Sequence, residues 1–460
     1  MRHRPTRLTA LALLGSALAV LATAAPPVTA AAPEHPGRRH HLPVLPGVVP
    51  RAETPTLHDD EAGGNADADD PAIWRNPADP DRSLVVATAK EGGLRVYDLD
   101  ARVVQSVPAP PAPGPGDAPG RFNNVDLVHG LRLGTGGRGG HRSRPADLAV
   151  TTDRGRDRLR VYRITAPGRS GAAAPLTDVT DPAAPPVFSA GGQGEINEQR
   201  TAYGLATWTD EASGRSYALV SRRERTRIAL LELLPTARGT VTYRTVRTLD
   251  LPASFRLPNG RSWSPCAEPG EQPQVEGMVV DPAHRVLYAG QEDIGIWRIR
   301  ADLTGAPVLL DKVREFGVPG TYDEETEECA PGADPGFGGK HLAADVEGLT
   351  LLPGRGGGGR LLASSQGDDT FAAYDRRAAA RVPGGGAYAG GFRVVAGRGA
   401  LDGAEECDGA AVLNAPLGRR YPHGLLVVQD GRAGDPGDGE RASTGFKFVA
   451  LEDVRGALEG

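Results

Sequence analysis

The stretch EGMVVDPAHRVLYAGQEDIGIW, residues 276–297, decides the fold. It opens with a short strand, Glu276-Gly277-Met278-Val279, followed by a stronger apolar run, Val286–Gly290. A polar turn, Gln291-Glu292-Asp293, leads into a third strand that ends on an aromatic, Ile294-Gly295-Ile296-Trp297. Short runs rich in β-branched and aromatic residues, bounded by Gly, Asp and Pro, read as strands, and no long stretch with a helical apolar period accompanies them.

Outward from this stretch the unit recurs. Further openings are Asp70–Trp74, Asn124–Leu127, Tyr203–Ala206, Glu347–Thr350 and Asp408–Ala411. Their second strands are Leu84–Thr88, Leu148–Thr152, Tyr217–Ser221, Leu361–Ser365 and Leu425–Gln429. The spacing of the six openings runs from 54 residues (Asp70 to Asn124) to 79 (Asn124 to Tyr203). A period that long, with three or four strands per unit, points to propeller blades. Closing such units into a ring removes the strand edges that a flat array would expose. The expected fold class is therefore all-β, a six-bladed β-propeller over residues 53–460. A pair of β-sandwiches is the competing architecture, but it does not require a sixfold echo.

Residues 1–30 read as a secretory signal peptide, with Arg2, Arg4 and Arg7 ahead of apolar Leu8–Ala25 and small residues at Val28-Thr29-Ala30. A membrane anchor is the competing reading, though the run is Ala-rich and meets Pro26 and Pro27. Residues 31–52 are rich in Pro, Ala and basic residues and read as a disordered leader. No later stretch is long and apolar enough to span a bilayer, so the expectation is a secreted, extracellular protein with no membrane partner. The net charge of −6 disfavours nucleic acid as a partner. A monomer is the default for a closed propeller. The three cysteines, Cys266, Cys329 and Cys407, lack zinc-site spacing; export permits one disulfide, and Cys266–Cys329 is the preferred pair because both lie in long polar loops.

Equivalent positions of successive blades become neighbours around the channel. After the second strands, blades one to three supply Lys90, Arg154 and Arg223, whereas blades four to six supply Gln291-Glu292-Asp293, Gln366-Gly367-Asp368-Asp369 and Gln429-Asp430. At the openings stand Asp69 and Asp70, Asn123 and Asn124, Tyr203, Glu276, Asp345 and Glu347, and Glu406 and Asp408. Packed carboxylates repel one another without a cation. Oxygen donors with no thiolate suit a hard ion, calcium best outside the cell. A facing crescent of Lys and Arg suits a phosphate group. Any one of these acids taken alone is more often a turn former or a solvated charge.

These motifs resemble those of the β-propeller phytases, also called alkaline phytases. The resemblance is carried by Asp69–Trp74, Asn123–Asp126, Gln274–Met278, Gln291–Trp297, Asp345–Thr350 and Leu362–Gly367, in family order over about residues 53 to 455. It implies a propeller holding several calcium ions and hydrolysing phytate, bound as its calcium complex, to lower inositol phosphates. It implies that Asp70, Glu276, Asp345, Glu347, Gln366 and Asp402 are calcium ligands near the scissile phosphate, with Asp69, Glu292, Tyr203 and Glu53 as further members of the acidic cluster. Lys90, Arg154 and Asn123 match phosphate-binding positions. Arg223 stands where better-studied members carry lysine, and Glu406 where some carry Asp. Insertions at Arg261–Gln272 and Thr321–His341 depart from shorter members.

The expected chemistry is direct attack by a calcium-activated water, with Lys90, Arg154, Arg223 and Glu276 in catalytic roles and Lys90, Asn123, Arg154, Tyr203 and Arg223 on the substrate. No Arg-His-Gly run in the mature chain offers a histidine nucleophile, and no cysteine heads a Cys-x5-Arg loop. The alternatives are a calcium propeller lactonase or esterase, which does not need three basic residues in a crescent, and a non-catalytic binding propeller, which would present exposed aromatics.

Overall fold

The computed structural model describes residues 44–58, 65–134, 144–166, 174–381, 387–397, 401–434 and 443–459. The expected signal peptide and residues 31–43 of the expected leader lie outside the described residues. Six antiparallel sheets follow one another along the chain. Blade one comprises Pro71–Trp74, Leu84–Thr88, Leu94–Tyr97 and Val103–Val107. Blade two comprises Phe122–Leu133, Arg144–Asp153, Arg158–Ile164 and Leu176–Asp178. Blade three comprises Ala202–Asp210, Arg215–Arg222, Arg227–Pro235 and Val241–Asp250. Blade four comprises Val275–Asp281, Val286–Gln291, Gly295–Arg300 and Val308–Lys312. Blade five comprises Val346–Pro353, Gly359–Ser365, Thr370–Asp375 and Tyr388–Val394.

Blade six has Ala410–Leu413, Leu425–Asp430 and Ser443–Ala450 from the C-terminal region, and the N-terminal strand Ala52–Glu53 pairs with the last of these, Ala52 opposite Phe448 and Glu53 opposite Lys447. The chain thus closes its ring by sharing one sheet between its two ends, which leaves no seam held by side chains alone. Gly47–Val48 runs parallel to Arg393 and Val394 on the edge of blade five. These residues fall in the stretch whose composition reads as leader. A two-residue edge strand owes its order to the partner's backbone, which composition does not report.

The first strands of successive blades touch in a closed circuit, from blade one through blade six and back to blade one. Apolar side chains fill the wedges between blades. Ile73, Val85, Ala87 and Tyr97 of blade one pack with Val427, Phe446 and Phe448 of blade six. Trp74, Val86 and Val96 pack with Phe122 and Ala149 of blade two. Burying a side chain such as Phe446 or Phe448 contributes about 1.5–3 kcal/mol. The expected β-propeller is the observed fold.

A glycine in the openings of blades three to six explains the close approach of their inner strands. A Cβ on Gly204 would stand 2.1 Å from the carbonyl oxygen of Glu276, and one on Gly277 would stand 1.9 Å from that of Glu347. Only glycine lets neighbouring inner strands approach so closely. The residues just before these glycines, Tyr203 and Glu276, are thereby brought into a tight ring with Glu347. The disulfide forms between Cys266 and Cys329, with 6.0 Å between their Cα atoms. It ties the segment leading into blade four to the hairpin Gly320–Asp323/Glu328–Pro331. Cys407 is buried and unpaired.

Candidate active site

Carboxylate oxygens of Glu276, Glu292 and Glu347 lie within 4.8 Å of one another, and all three residues are buried. Oε1 of Glu292, Oε2 of Glu347 and Oδ1 of Asp69 are buried without a hydrogen-bond partner. Burial first, then the Glu276 charge, holds the carboxyls of Asp69, Glu292 and Glu347 well above the usual carboxylate range. Buried carboxylate oxygens without a partner, two of them in the Glu276, Glu292 and Glu347 cluster, are what a hard cation satisfies. The donor set fits such an ion: oxygen only, and rich in negative charge. Asp345 adjoins this group, its carboxyl raised by burial and then by Glu276 and Glu315.

The basic side starts at Lys90, whose Nζ lies 2.6 Å from Asp67, 3.5 Å from Asp408 and 3.7 Å from Asp69. Asp408 Oδ1 accepts from Gln366 Nε2 at 2.7 Å, so Gln366 meets the crescent through that carboxylate. Asn123 Nδ2 donates to Asp69 Oδ2 at 3.3 Å, and its own Oδ1 is a buried orphan. Arg154 is buried, and among the described residues no carboxylate forms an ion pair with it. Burial, then the neighbouring guanidinium groups of Arg121 and Arg223, lowers Arg154 to about 10, so it stays cationic at physiological pH. Arg223 pairs with Glu224, which also takes Arg200 Nε at 2.8 Å.

Gln274 joins the two halves. Its Nε2 donates to Glu292 Oε2 at 2.9 Å and to the Tyr203 hydroxyl at 3.4 Å, while its Oε1 accepts from the backbone N–H of Glu224 at 2.7 Å. The structure therefore gathers Lys90, Asn123, Arg154, Tyr203, Arg223, Asp69, Glu276, Glu292, Asp345, Glu347 and Gln366 about one mouth. Asp70 turns to the neighbouring blade, where its Oδ2 accepts from the backbone N–H of Val125 at 3.0 Å. Glu53 and Asp402 gather elsewhere on blade six, about Lys447. The Nζ of that buried lysine pairs with Asp402, lies 2.7 Å from Glu53 and lies 3.1 Å from Asp430.

Sequence reasoning missed Arg121 and gave Gln274 and Lys447 no role. Arg121 pairs with Glu91 and sits between the two cations already named: Phe122 N–H donates to Lys90 O at 3.1 Å, and Arg154 N–H to Arg121 O at 2.7 Å. Its place just before Phe122-Asn123-Asn124, at the start of blade two's first strand, is the signal the sequence offers.

A ring with cations on one side and metal-ready carboxylates on the other, carried by a closed propeller, defines a hydrolase of phosphoric monoesters. The family profile described as Phytase matches residues 10–257 and 321–460. A 3-phytase of Bacillus subtilis (strain 168) is 29% identical over 428 residues, spanning 93% of this chain and 88% of that protein. The chain belongs to the phytase family, in its β-propeller form. Among solved structures, Sqt1 of Chaetomium thermophilum bound to the N-terminus of ribosomal protein L10 overlaps with a TM-score of 0.37 and 13% identity, over 84% of this chain and 89% of that one. A structural-genomics protein of unknown function from Bacteroides thetaiotaomicron VPI-5482 overlaps with a TM-score of 0.40 and 11% identity, over 88% and 74%. Both overlaps are too loose to carry an argument. Among the described residues no helix is long and apolar enough to cross a membrane.

Proposed function

We propose that this enzyme is a secreted, calcium-dependent phytase of the 3-phytase type, acting as a monomer on the calcium complex of phytate and on lower inositol phosphates. The observation that carries the reading is the buried Arg154 guanidinium, without a carboxylate partner among the described residues, beside the orphaned oxygens of Asp69, Glu292 and Glu347. A buried cation beside buried carboxyls without partners suits a ligand that brings charges of both signs, and a phosphate ester with its metal ions does so.

Glu276, Glu292 and Glu347 would hold a calcium ion, with Asp69, Asp345 and Gln366 as candidates for further ions. Bound there, calcium supplies neutralisation of phosphate charge and acidification of water. Lys90, Arg154 and Arg223 hold the phosphate undergoing transfer, with Asn123 and Tyr203 orienting it. The ester P–O bond breaks as water's oxygen bonds to phosphorus, the leaving oxygen takes up the proton that the water gives up, and the alcohol and inorganic phosphate leave. Residues 1–30 would direct export, 31–52 would form the leader and 53–460 the catalytic domain. The Cys266–Cys329 disulfide supports an oxidising compartment.

The deciding experiment is phosphate release from sodium phytate by the purified mature protein, with calcium and then with excess chelator. Release that depends on calcium is expected. A folded protein that releases none at any calcium level would overturn the reading.

A further inference from the structure

The basic side of the mouth holds a further cation that the proposed mechanism leaves unused. Arg121 precedes the first strand of blade two, and its backbone is fastened on both sides. Its N–H donates to Asp153 Oδ1 at 3.2 Å, and its carbonyl accepts from Arg154 N–H at 2.7 Å. Its guanidinium pairs with Glu91 through Nη1. The Nε of Arg121 is buried without a hydrogen-bond partner, and so is the Nε of Arg154, a residue only 8% exposed. The two groups are neighbours: after burial, the Arg121 charge is the largest cause lowering the pKa of Arg154. Burial works against the Arg121 cation too, but the charge of Glu91, and after it those of Asp69 and Asp67, holds its pKa above the usual value. Among the described residues neither aspartate forms an ion pair with it.

Two buried cations side by side repel each other. One carboxylate on one of them leaves both Nε groups without an acceptor. Guanidinium groups take phosphate oxygens in pairs, so a phosphate with three free oxygens can serve both arginines at once. Glu91 is placed to make way for it. Its side chain is 25% exposed, at the turn after the second strand of blade one. Gly92 N–H donates to Ala89 O at 2.7 Å and Gly93 N–H to Lys90 O at 3.1 Å, so main-chain bonds close that turn whichever way the Glu91 side chain points.

We propose that Arg121 is a further phosphate-binding residue and Glu91 its resting counter-ion: the phosphate held by Arg154 displaces the Glu91 carboxylate and takes Arg121 as well. Glu91 thereby acts through Arg121, as a positioning residue. It neutralises and orients the guanidinium while the mouth is empty. It also sets a threshold, since only an anion that binds better than a tethered carboxylate can enter. A doubly charged phosphate meets that threshold and a simple carboxylate does not. The identity of the substrate rests on the proposed function; the exchange of anions at Arg121 does not.

The test is calorimetric titration of the full mature protein with inorganic phosphate, paired with kinetics on phytate. Arg121→Gln should weaken phosphate binding about tenfold, the worth of a lost charge-assisted contact, and Arg121→Lys should restore part of it. KM for phytate should rise by a similar factor while kcat changes less, as expected of a contact made before and during transfer. Glu91→Gln should tighten phosphate binding about tenfold in the parent and much less in the Arg121→Gln background, because the competition it removes exists only at Arg121. A gain in affinity cannot come from a damaged fold. Phosphate affinity and KM unchanged in Arg121→Gln would overturn the proposal. So would equal tightening by Glu91→Gln in both backgrounds, which would make Glu91 a distant charge and nothing more. A protein that binds phosphate yet is inert towards phytate would sink the proposed function alone, because the titration still reads Arg121.

Discussion

The guanidinium carbon of Arg154 stands 5.7 Å from the centre of the Tyr203 ring. The same tyrosine meets Gln274 through its hydroxyl, and Gln274 holds Glu292. One side chain therefore supports the buried cation with its ring face and touches the carboxylate side with its polar end. A ring face steadies a guanidinium without neutralising it, so Arg154 keeps its charge for a phosphate.

Removing the ring should thus weaken substrate binding more than removing the hydroxyl. Tyr203→Leu is expected to raise KM for phytate roughly two- to thirtyfold, matching a cation–π contact of about 0.5–2 kcal/mol. Tyr203→Phe should keep most of that binding. Equal KM values in the two variants would argue against the ring as the support.

Arg154 itself should not tolerate lysine. An ammonium lacks the paired donors of a guanidinium. Arg154→Lys is expected to lower kcat/KM by about 10²–10³, the range seen when a donor aimed at developing charge is lost. The melting temperature should hold or fall slightly, since the ammonium is the more strongly hydrated cation and costs at least as much to bury. Parent-like turnover would count against a role on phosphate.

Calcium should stabilise the fold by mass action. At a hundredfold excess over its dissociation constant, one ion bound only to the folded state contributes about 2.7 kcal/mol. Glu347→Gln should remove much of the calcium-induced rise in melting temperature while leaving the melt in chelator no lower than the parent's. Differential scanning calorimetry with and without chelator reads both.

The metal-free protein should respond to pH in a defined direction. Burial raises the carboxyls of Asp69, Glu292 and Glu347 well above their usual range. Burial, opposed by Lys90, leaves Asp408 at about 7, and burial followed by the Asp345 charge puts Asp293 at about 7. The folded state thus keeps protons that the unfolded chain gives up near pH ~4. Stability falls as pH rises from there through about 7, where Asp408 and Asp293 give up their protons. Melts in chelator should therefore drop between pH 5 and 8. A rise across that window would refute the protonation argument.

Gly277→Ala tests the ring itself. The new methyl would fall 1.9 Å from the carbonyl oxygen of Glu347 and must push two inner strands apart. A loss of about 1–3 kcal/mol is expected, the cost of overpacking, together with weaker calcium binding, because Glu276 and Glu347 flank the displaced backbone. Chemical denaturation and calcium titration would measure the two effects.

Much of this was legible in the chain because a propeller repeats. Leu84–Thr88 was readable to the residue as a strand, and the second strands of the other blades were found within a few residues of their ends. The same alignment put Lys90, Arg154 and Arg223 on one side of the mouth and the acids on the other. Arg121 escaped it because its neighbourhood to Arg154 runs through a backbone hydrogen bond between the ends of two strands of blade two, not through an equivalent position in another blade.

Local pattern therefore determined the inner strands, the number of blades and the sign of charge at each blade's mouth, since period-two alternation and turn residues act over a few positions. Only the tertiary structure decided which carboxylates meet. It brought Glu276, Glu292 and Glu347 together, turned Asp70 onto the backbone of Val125 and gathered Glu53 and Asp402 about Lys447. It also closed the ring by pairing Ala52–Glu53 with Ser443–Ala450. Those pairings join residues nearly four hundred positions apart. They depend on how six wedges pack around an axis, a constraint that no window of sequence contains.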